Sequence, residues 1–89
     1  MERPIEIGSV VFSRAGRDKG SFFLVTEIVD DTFVKLVDGD IRKLAKPKLK
    51  KLKHVKVTDD VISGIAEKIE KGLKVYDAEI FSALRRYNS

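Results

Sequence analysis

Short apolar runs over the first half of the chain and three- and four-residue apolar spacings over the last third predict strands followed by helices. Val10, Val11 and Phe12 after Gly8 predict a short strand, and Phe22 to Val29, rich in aromatic and β-branched residues, predicts a longer one. Between them lies GRDKG, residues 16–20, two glycines around three charged residues. Asp30-Asp31 marks a polar turn, Phe33 to Val37 a third strand, and Asp38-Gly39 a tight turn before Ile41 to Leu44, which continues the meander. In the third strand Phe33, Lys35 and Val37 share one face while Val34 and Leu36 share the other, so no single side is named as buried. A small curved barrel, covered in part on both faces, accommodates that pattern.

Pro47 removes a backbone donor and biases Lys46 toward extended geometry, which argues against a long helix there. Leu49, Leu52, Val55 and Val57 are irregularly spaced and predict a loop or short turn leading into a strand at Val55 to Thr58, with lysine stems running outward. Thr58 or Asp59 is expected to cap a helix whose apolar stripe is Val61, Ile62, Ile65, Ala66 and Ile69, with Gly72 ending it. Asp77 is expected to cap a second helix carrying Ile80, Phe81, Leu84 and Tyr87. Arg85 and Arg86 suit the dipole at the end of that helix. One domain is expected, with a β body over residues 1–58 and a helical extension over residues 59–89 packed on it.

Charge sharpens this picture. The formal net charge is only +4, but its distribution is uneven. Residues 1–40 hold five basic and eight acidic groups and residues 57–89 hold five and six, whereas residues 41–56, IRKLAKPKLKKLKHVK, hold eight basic groups and no acid. Like charges at that density repel one another, and interspersed acids would relieve them in a purely structural segment. The concentration points to a polyanionic partner, against the alternative of a merely solvated edge.

Other chemistry is poorly supplied. The only histidine, His54, lies inside the positive run, a poor setting for a base, so a nucleophile with a base and an orienting group is not assembled. Asp30-Asp31, Asp38/Asp40 and Asp59-Asp60 have the spacing of turns and caps, not of a metal cage. GRDKG lacks both the phosphate-loop pattern and the dinucleotide fingerprint, so no cofactor is expected. The absence of cysteine fits a reducing compartment, and no run approaches the roughly 20 apolar residues of a membrane span, so a cytoplasmic protein is expected.

The stretch GSVVFSRAGRDKGSFFLVTEI, residues 8–28, with FVKLVDGDIRKLAKPKLKKLKHVKVT, residues 33–58, resembles the KOW-domain family, most closely the bacterial relatives of the ribosomal protein L14e. The resemblance covers residues 7–58. Gly8 and Val10 match the start of the motif, Gly16 and Gly20 its loop glycines, and Arg17 and Lys19 its exposed tip. Val37-Asp38-Gly39 matches the short turn after the third strand, and the basic stretch beyond it matches an RNA-facing extension. The resemblance implies a small SH3-like β-barrel, here followed by one or two short helices, that binds RNA or ribosomal partners.

The expected function is non-enzymatic binding of RNA, structured or ribosomal, with ribosomal or translation-associated proteins as further partners and no membrane. Arg17 and Arg42 are candidates for directional contacts, because a guanidinium presents donors in a fixed fork. Arg14, Lys19, Lys43, Lys46, Lys48, Lys50, Lys51 and Lys53 would supply a phosphate-facing field, with Gly16, Gly20 and Gly39 shaping the loops. Phe22, Phe23 and Phe33 are assigned to the core. The alternative is a protein-interaction module that docks on the translation or transcription machinery through a barrel edge or the C-terminal helices.

Overall fold

Five strands form an antiparallel sheet, and two helices pack on one of its faces. The computed structural model describes residues 4–88. The elements are β1 (Ser9–Ser13), β2 (Phe22–Ile28), β3 (Phe33–Val37), β4 (Lys48–Lys51), a 3-10 turn (Leu52–His54), β5 (Val55–Val61), α1 (Ser63–Glu70) and α2 (Asp77–Asn88). The sheet order is β4-β3-β2-β1-β5. No helix among the described residues is long and apolar enough to cross a membrane.

Alternation along the central strands sends neighbouring side chains to opposite faces, and both faces are buried. Val10, Leu24 and Val37 join Ile65 of α1 and Ile80 and Leu84 of α2 in one core. Val11, Phe23, Val25, Val34, Leu36 and Val55 form the other, with Ile5, Leu52 and Val57 against it. Among the described residues no α-helix side chain joins this second core, and the sheet residues on this face bury one another. The third strand names no single buried side because Val34 and Leu36 serve one core while Val37 serves the other.

The closed SH3-like barrel is not formed. β4 and β5 are the two edges of an open sheet, with no ladder between them. The 3-10 turn Leu52–His54 passes the chain from one edge to the other, where β4 pairs only with β3 and β5 only with β1. The two neighbouring ladders each run one residue further into this turn, with Arg14 N donating to the His54 carbonyl at 2.8 Å beyond the Ser13–Val55 pair and Leu52 N to the Thr32 carbonyl at 2.8 Å beyond the Phe33–Lys51 pair.

Three local expectations change as well. Residues 41–47 are turns and bends rather than a fourth strand. The fourth strand is instead the lysine-rich Lys48–Lys51, held in extended form by its register with β3, Val34 opposite Lys50 and Leu36 opposite Lys48. Thr58, Asp59 and Asp60 lie in β5, and α1 begins only at Ser63. Pairing with β1 outweighs the capping tendency of these residues: Val57 sits opposite Val11 and Val61 opposite Ser9, and Thr58 Oγ1 donates to the Val10 carbonyl at 2.7 Å.

The helices are fastened at both ends. The Tyr76 amide donates to Glu79 Oε2 at 2.9 Å, while Lys68 of α1 donates to Glu79 Oε1 at 2.5 Å. At the other end, Tyr87 donates its hydroxyl proton to Asp60 Oδ2 at 2.6 Å. β3 stops at Val37, opposite Leu24, so the backbone of Phe22 has lost its partner on that side. Asn88 replaces the missing strand: its carboxamide accepts from Phe22 N at 2.8 Å and donates to Phe22 O at 3.2 Å.

Candidate nucleic-acid interface

The segment after β1 folds into a compact turn. Gly20 N donates to the Ser13 carbonyl at 3.0 Å, Lys19 N to the Gly16 carbonyl at 3.2 Å and Ser21 N to the Asp18 carbonyl at 3.1 Å. Gly16 and Gly20 both have positive φ, 79° and 93°, the region in which glycine is favoured. Arg14, Arg17 and Lys19 are exposed along this turn, while Asp18 is turned inward.

Asp18 joins this turn to the basic segment. Its carboxylate accepts from a terminal guanidinium nitrogen of Arg42, with oxygens at 3.3 and 3.1 Å. The pair is sheltered, with the Asp18 side chain 11% and that of Arg42 26% exposed. The Nε of Arg42 is buried with no hydrogen-bond partner. Arg42 is therefore a fastener in this structure, and Asp18 supplies the other half.

A second fastener comes from β4. Lys50 is only 7% exposed, on the face shared with Val34, and its Nζ donates to the Ala15 carbonyl at 2.6 Å. The ammonium holds the β1–β2 turn against the edge strand. A buried ammonium needs such a partner, because leaving the charge unpaired out of water is costly. The two stretches singled out from the sequence, residues 16–20 and 41–56, are thus in contact.

The remaining candidate cations differ in exposure. Lys43, Lys46, Lys51 and Lys53 are exposed and Lys48 is half-buried. Neither these five nor Arg14, Arg17 and Lys19 have an ion-pair partner among the described residues. Half-buried His54 lies in the 3-10 turn and contributes its carbonyl to Arg14. Phe23 is buried, and Phe22 packs at 5.0 Å from Phe12 and 5.5 Å from Tyr87, ring centre to ring centre. These rings have inner partners, as expected of core aromatics.

Residues 38–47 are shaped by their own backbone and by α2. Asp38 Oδ1 accepts from Asp40 N at 2.9 Å and Arg42 N at 2.8 Å, and Asp38 N donates to the Arg42 carbonyl at 2.9 Å. Further along, Leu44 N donates to Asp77 Oδ1 at 2.7 Å, so Asp77, expected to cap α2, lies in the first turn of that helix and anchors the basic loop instead. Gly39 lies against the start of α2, where a Cβ would collide with the Asp77 carbonyl and Phe81 N. Its glycine is legible as a turn signal, but this close approach has no local signal in the sequence.

Two hollows flank the loop and share Ile41. One, of about 500 Å³, is bordered by Lys43, Lys46, Lys48 and Leu49, with no carboxylate in its lining. The other, of about 390 Å³, runs along α2 and is bordered by Asp38, Asp40, Phe81 and Tyr87. No protein-family model matches the chain. The open sheet also conflicts with the closed barrel implied by the KOW resemblance, so neither KOW membership nor a ribosomal identity is carried further.

Proposed function

We propose that this chain is a non-enzymatic RNA-binding domain that engages structured RNA mainly through phosphates. The observation that carries this reading is the fastening of the β1–β2 turn to residues 41–53 by Arg42–Asp18 and Lys50–Ala15. These bonds keep two cation-bearing loops together while leaving Arg14, Arg17, Lys19, Lys43, Lys46, Lys51 and Lys53 exposed to a ligand. Such cations position a polyanion by its backbone and release its counterions, so binding weakens with salt. RNA is favoured over insertion into the DNA major groove because the cations lie on loops and an edge strand, away from any helix that could enter it.

The test replaces Lys43, Lys46, Lys51 and Lys53 with glutamine and measures affinity for a labelled RNA hairpin at two salt concentrations. Loss of four phosphate contacts is expected to flatten the slope of log affinity against log salt by about 3. Unchanged affinity and slope would overturn the reading. The acid-bordered hollow along α2 favours a second one, docking of a protein, since Ile41 is 74% and Phe81 46% exposed beside it. Under that reading Phe81→Ser abolishes binding to a protein partner and leaves RNA affinity intact.

A further inference from the structure

The hollow of about 500 Å³ within the basic loop combines two kinds of lining that a phosphate chain alone does not require. Lys43, Lys46 and Lys48 border it, yet so do Ile41, 74% exposed, and Leu49, 50% exposed. Its size falls in the range of about 300–1,000 Å³ typical of sites that enclose a small molecule. Arg42 also borders it, but the Arg42 guanidinium is held by Asp18, which leaves the lysines as the unpaired cations.

Lysines satisfy phosphates wherever they occur, in paired or unpaired RNA alike. Exposed isoleucine and leucine side chains gain nothing from a phosphate. Their complement in RNA is the face of a base or a ribose, and in a continuous duplex the base faces are hidden by stacking. We infer that this hollow receives one unstacked nucleotide of a structured RNA, such as a single-nucleotide bulge, with its base against Ile41 and Leu49 and its flanking phosphates on Lys43, Lys46 and Lys48.

The inference rests on the RNA reading above and names the class of RNA. The hollow is shaped in advance. Asp38 fixes the turn before it, Asp77 holds Leu44, and Asp18 holds Arg42, so little ordering is needed on binding. Aliphatic side chains grip a base less strongly than aromatic rings do, which places the preference at the low end of the stacking range, about fivefold.

Three labelled RNA hairpins of the same stem test this by fluorescence anisotropy: fully paired, with one bulged adenosine, and with that adenosine replaced by 2-aminopurine. The bulged hairpin is expected to bind about fivefold more tightly than the paired one, and 2-aminopurine emission is expected to change on binding. Ile41→Ser with Leu49→Ser should erase that preference while leaving affinity for the paired hairpin and its salt slope unchanged, with circular dichroism establishing that the variant is folded. Ile41→Val with Leu49→Met should retain the preference. Equal affinity for bulged and paired hairpins, with a lysine-dependent salt slope, would overturn this inference alone and assign the apolar pair to another partner, such as a protein. A preference that survives the serine variant overturns it too. Absence of affinity for all three hairpins overturns both this inference and the RNA reading.

Discussion

A methyl group on Gly39 would run into backbone atoms of α2 that have no soft side chain to yield. Gly20 has a similar positive φ but has no neighbour within 4 Å of the place its Cβ would take. The two positions therefore separate backbone strain from overpacking. Gly20→Ala is expected to cost about 1 kcal/mol, the strain of a left-handed alanine. Gly39→Ala adds displacement of the helix and is expected to cost about 3 kcal/mol. Urea denaturation of both variants checks this, and equal costs would mean that α2 yields freely. Both glycines were legible as loop-shaping from their neighbours; the collision with α2 was not, because it depends on residues almost forty positions away. Lys50 teaches the same lesson with charge. It was grouped with Lys48, Lys51 and Lys53 because a run of lysines carries no facing until a register is known, and the register with Val34 turns it inward. Arg42 likewise kept its expected place but is occupied by Asp18.

At the scale of elements, α2 is held by an acid at its start and a phenol at its end, so its docking depends on pH in both directions. The hydrogen bond from Lys68, followed by the Tyr76 amide, lowers the Glu79 pKa from 4.5. A lowered carboxyl pKa contributes stability that is present above the unfolded value and is lost as pH falls through the folded one. Burial, then the hydrogen bond to Asp60, raises the Tyr87 pKa from 10.0. The fold thus prefers the neutral phenol, and its contribution is present below the unfolded value and lost as pH rises through the folded one. Melting temperature against pH is therefore expected to show an acid limb that Glu79→Gln flattens and an alkaline limb that Tyr87→Phe flattens. Limbs unmoved by these substitutions would assign the pH dependence to other groups. The strands legible from sequence were those with β-branched or aromatic runs, β1, β2, β3 and the start of β5. β4 was missed because KLKK has no intrinsic strand signal and is extended only through β3. The end of β5 was read as a helix start because Asp59-Asp60 satisfies a capping pattern locally, whereas the deciding partner of Val57 is Val11 in β1.

Over the whole molecule, apolar spacing was sufficient to anticipate a β-rich body with two helices, but in β3 it named no single buried side. It was not sufficient to distinguish a closed barrel from an open sheet, since the same five strands and short turns fit both and only the absence of a β4–β5 ladder separates them. The candidate loops were found for a similar reason: composition marks where charge accumulates, while the hydrogen bonds of Asp18, Lys50 and Asp77 that bring those loops together leave no periodic trace. An open sheet carries one further obligation, because each rim presents unpaired amides and carbonyls to any other copy of itself. On the β4 rim the lysines at positions 48 and 51 meet that obligation by repelling an approaching duplicate. Lys48→Thr with Lys51→Thr is accordingly expected to sediment as larger species than the parent at equal concentration, and identical sedimentation would refute that protective role. The charge proposed to engage a polyanion would then also be what keeps the molecule from polymerising through its own edge.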